Sequence, residues 1–374
     1  MTVLIFFIIL AILILVHELG HFLVAKKAGI KVEEFGFGFP PRLWGFQKGE
    51  TFYSINWIPF GGFVKILGET AQVEGDEPIA AADNGRTMAD KPRYTQAMVL
   101  AAGVFFNILL AWSILSFGLW LGLPTSRNGV PEGYQLEKTQ LIIVEVVKDS
   151  PASLAGLKGG EIITYVTDGV NKISHPTVTE LQKFVAEHPT QKIGVGYLSG
   201  LAAKSTEGEK EILVTPKLGI SGDTAVIGVN LDEIGILKLP FFPAIWEGFK
   251  LTGLVTWSII VALWMLLSGI FHGETAILAS VTGPVGLVGI IGSSMSLGFS
   301  YLLNLVAVIS LNLAVINFLP FPALDGGRIL FLGIEAIIRK PLSPKFVNVT
   351  NSIGFFILLG LMMVLTYRDV WRLF

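Results

Sequence analysis

Residues 2–25 read TVLIFFIILAILILVHELGHFLVA. The run is apolar, and its length suits a bilayer-spanning helix, which needs about 20 residues. Within it lie His17, Glu18 and His21, spaced H-E-x-x-H. Imidazoles four positions apart share one helix face, one turn apart, and can fill two corners of a tetrahedral zinc site. The glutamate beside the first imidazole is then within reach of a proton on a metal-bound water. Ionisable groups in hydrocarbon are costly unless compensated, so a cluster at this depth points to function. The plainer alternative is a satisfied pair of interfacial histidines closing a membrane helix.

Composition agrees with a membrane setting. Of 374 residues, 52% are hydrophobic and 15% charged, and the mean hydropathy is +0.66. These values belong to integral membrane proteins, and the length leaves room for two or three domains. The formal net charge of −2, with no basic run, argues against nucleic acid as a partner. The chain has no cysteine, which excludes disulfides and thiolate ligands. Any zinc must be held by histidine and carboxylate. The first segment has no basic leader, and its apolar run is too long for a cleaved signal peptide, so it is read as retained.

Lys26, Lys27 and Lys31 follow the first span and mark a cytosolic exit, which leaves the amino terminus outside. In residues 30–68 two β-prone runs, 32–39 and 51–57, are separated by Pro40-Pro41 and Lys48-Gly49-Glu50 and predict a hairpin. Residues 69–95, polar and acidic, read as a flexible cytosolic connection. A second uncharged span covers 97–121, with Asn107 as its one strongly polar side chain, available to a neighbouring helix or to the site.

From about 126 to 235 the composition turns soluble. Strands are expected at 141–147, 192–197 and 211–215. A short helix should begin at Asp149-Ser-Pro-Ala, followed by a further strand after AGLKGG, and an amphipathic helix should cover 179–186. His175 and His188 read as surface residues. Residues 251–271 are uncharged and long enough to span or to lie in the interface. Thr282-Gly-Pro-Val-Gly, in a Gly/Ser-rich stretch, reads as a re-entrant or kinked passage. Another span, 301–319, runs into Asn317-Phe-Leu-Pro320-Phe-Pro322-Ala-Leu-Asp325-Gly-Gly. Its two prolines break the helix, so the Asp325 carboxylate is expected on unwound backbone at membrane depth, tolerated where it lines a polar site. A catalytic zinc takes three protein ligands, and Asp325 is the natural third. For the two segments to meet, the chain must cross an even number of times, or none, between the soluble region and residue 301. Residues 353–367 form a last span, and Arg368 and Arg372 at its outer end run mildly against the charge rule.

HELGH at 17–21 together with N-x-x-P-x-P-x-L-D-G at 317–326 resembles the site-2 protease family of intramembrane zinc metalloproteases. GFGF within 35–39, PFGGFVKILGE at 59–69 and TGPVG at 282–286 extend the resemblance over nearly the whole chain. One departure is Val104, in AGVFFN at 102–107, where the family commonly has proline. The soluble region resembles a bacterial, circularly permuted PDZ domain in a single copy, as in the RseP-type branch, without a clear carboxylate-binding G-Φ-G-Φ loop.

The resemblance implies one Zn2+ per chain on His17, His21 and Asp325, with Glu18 as the catalytic base. It further implies cleavage of single-span (type II) membrane proteins such as anti-sigma factors or signal-peptide remnants. Substrate would be held by edge pairing with 35–39 (Gly36, Phe37, Gly38) or 51–57, helped by Asn317, Pro320 and Pro322. Substrate carboxyl termini are candidate partners of the PDZ-like domain. The expected fold is an α-helical integral membrane protein of the bacterial cytoplasmic membrane. It has about four transmembrane helices, a membrane-associated hairpin, a re-entrant segment and an inserted extracytoplasmic α+β PDZ-like domain, with the active site toward the cytosol. The expected domains are 1–125 (first membrane half), 126–235 (PDZ-like), 236–300 (interfacial or re-entrant) and 301–374 (second membrane half). Two rivals remain at this stage: a PDZ-bearing membrane scaffold and a metal transporter, neither of which needs a general base between the metal ligands.

Overall fold

A computed structural model of the chain describes residues 1–69, 83, 85–198, 208–218, 225–273 and 281–371, without the side chains of Phe39, Pro59, Phe60 and Phe271. Most of the expected 69–95 connection lies outside the described residues, as does Arg372. The elements begin with α1 (Thr2–Lys27), β1 (Val32–Lys48), β2 (Thr51–Ile66) and α2 (Arg93–Leu121). There follow β3 (Leu123–Ser126), β4 (Glu137–Val146), α3 (Pro151–Ala155), β5 (Ile162–Thr167), β6 (Lys172–Ser174), α4 (Val178–Glu187), β7 (Ile193–Leu198), β8 (Lys210–Val214) and β9 (Val229–Leu237). The chain closes with α5 (Phe241–Phe271), α6 (Pro284–Leu297), α7 (Phe299–Phe318), α8 (Asp325–Ile338) and α9 (Pro344–Trp371). Two compact units result: residues 1–115 with 248–292 and 305–374, and residues 116–247 with 293–304.

In the first unit the buried positions of α1 are Ile9, Leu13, His17, Gly20, His21 and Ala25. Steps of three and four put them on one face, so the packed stripe of the helix runs straight into the histidines. The hairpin is more folded than its two β-prone runs suggest. Residues 34–37 face 62–65 on one side and 52–55 on the other, while 42–48 pair with 51–56. The rows therefore lie in the order 42–48, 51–56, 34–37, 62–66. Gly36 is flanked by Phe63 and Ser54, and Phe37 by Gly62 and Ile55. Within the rows expected to take an added strand, 35–37 and 52–55 are already paired on both sides; the outer rows of the sheet are 42–48 and 62–66, and of these 62–66 lies beside α1.

Burial and charge fix this sheet against the membrane helices. Ala25, Ile30, Val32, Ile66, Met88, Val99 and Leu100 form one apolar cluster joining the end of α1, both strands and the start of α2. At the surface Lys26 Nζ lies 2.7 Å from Glu50, at the hairpin turn, and Arg86 bonds Glu50 as well. Lys31 Nζ lies 2.6 Å from Asp83. Two of the three lysines read as topology markers, Lys26 and Lys31, thus also tie the sheet down.

Five described helices are long and apolar enough to cross a membrane: α1, α2, α5, α7 and α9. Beside the expected four, α5 is the fifth candidate: it starts well before residue 251 and reaches 31 residues. α2 runs unbroken through Val104, so the departure from proline leaves the helix regular. α6 has 14 residues, and its Gly286 N–H donates to Asp369 Oδ2 at 2.8 Å. Arg368 bonds the Val281 carbonyl, which gives this charge a partner where the charge rule alone disfavours it.

The second unit carries a seven-stranded sheet in the order β3-β9-β4-β5-β7-β8, with β6 on β5. Ile143, Ile163, Leu181, Phe184, Ile193 and Val195 form its core, with α4 packed on the sheet. α4 starts in a capping box, Thr177 and Glu180 each bonding the other's backbone N–H. The helices and strands β4, β5, β7 and β8 fall where the sequence pattern predicts them. β9 was not expected, because Asp232-Glu233 and Gly235 interrupt its apolar run.

His188, read as a surface residue, is half-buried and closes α4. Its Nδ1–H donates to the Phe184 carbonyl at 2.7 Å, and Nε2 lies 3.1 Å from Asp168 Oδ2. That carbonyl first, and then the Asp168 carboxylate, raise the imidazole above its ordinary pKa. Such a group stabilises the fold fully below its unfolded pKa of about 6.5, and the contribution is lost as pH rises through the folded value. Thermal melts of the full chain in detergent should therefore record weaker protection of α4 above neutral pH. His188→Ala should flatten that dependence, and an unchanged slope would remove His188 as its source.

Candidate metal centre

α7 ends at Phe318 because Pro320 and Pro322 lack the backbone N–H that would continue it. The chain turns through 319–324 and re-enters a helix at Asp325. Asp325 was expected on unwound backbone; it is instead the first residue of α8, and the unwound part precedes it. The two glycines that follow explain the tight return. A Cβ on Gly326 would lie 2.3 Å from the Phe318 and Leu319 carbonyl oxygens, and one on Gly327 would lie 2.2 Å from that of Phe321. Only hydrogen fits there, and the close packing delivers the carboxylate to α1.

Asp325 Oδ2 lies 3.0 Å from His17 Nε2 and 3.5 Å from His21 Nε2, and the two imidazole nitrogens are 3.2 Å apart. The three residues are a group whose donor atoms can share one metal ion. Tetrahedral zinc with bonds of about 2.0–2.2 Å requires ligand atoms about 3.3 Å apart, and this triangle matches. His21 Nδ1–H donates to the Val99 carbonyl at 2.8 Å, which leaves Nε2 with its lone pair toward the metal position. Asn107 faces His17 on the other ring nitrogen: its Nδ2 lies 3.2 Å from Nδ1, and its Oδ1 is buried with no hydrogen-bond partner. Exchanging the amide's oxygen and nitrogen would pair both groups, Oδ1 accepting from Nδ1–H and Nε2 keeping its lone pair. Ser310 bonds the Asn107 carbonyl at 2.8 Å and ties α7 to α2 at this level.

A cavity of about 640 Å³ opens on this group, and Glu18, Glu69 and Arg328 line it with His17, His21 and Asp325. Three carboxylates face one guanidinium, a formal excess of two negative charges in a half-buried space. A divalent cation compensates such an excess. The donor set, its spacing and its charge all fit Zn2+.

The edge row of the sheet borders the same cavity through Phe63, Val64 and Ile66. A Cβ on Gly62 would sit 3.4 Å from the Glu18 side chain, an ordinary contact distance, so the edge row passes directly beside the glutamate. Gly36, Phe37 and Gly38 are absent from the lining. Asn317 Nδ2 lies 3.4 Å from His17 Nε2, at the metal group. Pro320 is exposed and Pro322 half-buried, and both act through the turn that presents Asp325.

The model of peptidase family M50 matches residues 5–361. The chain belongs to this family, the site-2 proteases. A Clostridium perfringens protein named as a zinc metalloprotease is 36% identical over 364 residues, covering 96% of this chain and 95% of that protein. The zinc metalloprotease RasP of Oceanobacillus iheyensis is 27% identical, with 100% of this chain and 99% of that protein aligned. Regulator of sigma-W protease RasP of Bacillus subtilis is 29% identical, at 100% and 99% coverage. This M50 protein is thus a bacterial intramembrane zinc metalloprotease, and the scaffold and transporter readings give way.

Two contributors escape sequence reading. A Cβ on Gly103 would lie 2.5 Å from His21 Nε2 and 2.6 Å from His17 Cε1, so α2 touches the imidazoles at a bare backbone position. The run Ala101-Ala102-Gly103 is the available signal. The second is the Val99 carbonyl, which no side-chain pattern announces. Gly103→Ala should lower zinc occupancy of the purified protein. Asn107→Ala should weaken zinc affinity by about 10–100-fold, measured by chelator competition, and wild-type affinity in both variants would remove these contacts from the site.

Proposed function

We propose that this M50 protease holds its zinc on His17, His21 and Asp325 and uses Glu18 as the general base of peptide hydrolysis. The observation that carries the assignment is the convergence of three donor atoms from α1 and α8 on the cavity that Glu18 also lines. Zinc in such a shell polarises a carbonyl and brings the pKa of a water to about 7. Glu18 takes the proton of the attacking water and can return it to the leaving amine. His21 and His17 keep their orientation through Val99 and Asn107, so the ligand geometry is built before substrate arrives. Asn317, beside His17, offers an amide N–H to the substrate carbonyl.

A helix in hydrocarbon keeps its carbonyls internally bonded, so the scissile region must be drawn out. The edge row 62–66 offers backbone groups for an extended peptide, running past Glu18 at Gly62. Strand addition there offsets the helix hydrogen bonds lost on unwinding. The substrates are single-span membrane proteins of the type II orientation, anti-sigma factors and signal-peptide remnants among them. The B. subtilis relative, named a regulator of sigma-W protease, supports that class. Lys26, Lys27 and Lys31 support a cytosolic exit for α1, with the metal group toward that side and the β-rich unit outside.

The β-rich unit is read as the PDZ-like domain. A groove of about 910 Å³ runs between α4 and the start of β9. β3 pairs only with 234–237 of β9, while β4 takes the other side, so residues 229–233 have an edge toward the groove. That edge supports capture of an extended substrate carboxyl terminus.

Glu18→Gln should retain zinc and lose cleavage of a model type II substrate by roughly 10²–10⁴-fold. Asp325→Asn should lower zinc content. Cleavage retained in the first variant, or full zinc in the second, would overturn the corresponding assignment.

A further inference from the structure

A second cavity of about 640 Å³ adjoins the catalytic one and shares Glu69, Arg328 and Asn351 with it. Arg328 and Glu69 bond each other, and so form an ion pair at the junction. Arg328 stands three residues beyond Asp325 on α8, one turn along, and Glu69 stands three residues beyond the end of β2. The far wall is built by Leu100 on α2, Phe331 farther along α8, and Val347 and Asn348 on α9. Neither the metal chemistry nor the edge strand uses this space.

The direction of the edge row connects the two. Gly62 lies against Glu18, and the row then runs through Val64 and Ile66 toward Glu69. A peptide laid along it for four residues would advance about 13 Å, toward the end of the cavity where Arg328 and Glu69 lie. Beyond the pair the lining is mixed. Lys91, Gln96, Asn348 and Glu335 stand among Phe331, Leu332 and Val347, as suits an extended polypeptide that needs both backbone partners and apolar contacts.

We infer that the second cavity is a substrate subsite, occupied by the unwound segment that continues past residue 66 on one side of the scissile bond, with Arg328–Glu69 at its mouth. The inference rests on the edge-strand reading of the preceding section. It adds a second zone of sequence selection several residues from the hydrolysed bond.

Photocrosslinking in the Glu18→Gln variant of the 374-residue chain, zinc-loaded and in lipid nanodiscs, tests it. p-Benzoylphenylalanine is introduced at Val64 in one variant and at Val347 in another. Each is irradiated with a single-span model substrate, and the adducts are mapped by mass spectrometry. Zinc content and thermal melting of each variant establish that it is folded. Both positions should crosslink, and the Val347 adducts should lie about five to nine residues from the scissile bond, on the same side as those from Val64 but farther out. Adducts from Val64 without any from Val347 would overturn the subsite and leave the protease reading intact. Val347 adducts at the same substrate residues as those from Val64, or on both sides of the bond, would also overturn it. Absence of adducts from both positions would overturn the edge-strand reading, and the subsite with it.

Discussion

The fold depends on the meeting of one carboxylate with two imidazoles. His17 and His21 belong to the first helix and Asp325 to the eighth, and 3.0–3.5 Å separates their donor atoms. A carboxylate and two imidazoles are poorly solvated at membrane depth and need one another, a cation, or both. Much of the surrounding architecture serves their approach. α2 brings Gly103 against the imidazoles, the turn at 319–324 stops α7, and Gly326-Gly327 lets α8 begin hard against that turn. Ser310, Asn107 and Val99 then fix the ring orientations.

The second constraint is access for a polypeptide. A membrane helix hides its carbonyls, and a protease acting on one must supply substitute partners. Row 34–37 of the sheet is filled on both sides, and of the two outer rows, 42–48 and 62–66, the second passes the Glu18 side chain at Gly62. The apolar cluster around Ile66 and Val99 and the ion pairs of Glu50 and Asp83 keep that row beside Glu18. Site and sheet share this cluster, because Val99 belongs to it and also bonds His21.

The chemistry was legible in the sequence to the extent that side-chain type and spacing carry it. H-E-x-x-H pointed to two candidate ligands and a candidate base, Asp325 was the candidate third from the broken helix, and the structure brings His17, His21 and Asp325 together. The long spans were equally legible, because twenty apolar residues have few other uses. What stayed hidden depends on backbone. The fold-back of β1 and β2 turns on pairings that no periodicity encodes, so the outer rows were not legible in the sequence. β9 carries two acidic residues and a glycine and looks like a loop until its partners β3 and β4 are known. Gly103 reads as an ordinary helix glycine until the imidazoles are seen against it.

X-ray absorption at the zinc edge of the purified, zinc-loaded protein tests the central claim most directly. The account predicts nitrogen and oxygen scatterers at about 2.0–2.2 Å, with the outer-shell signature of two imidazoles. One imidazole should be lost in His21→Ala, and the carboxylate contribution should be lost in Asp325→Ala. A zinc shell with no imidazole signature, or one left unchanged when residue 325 is altered, would contradict it.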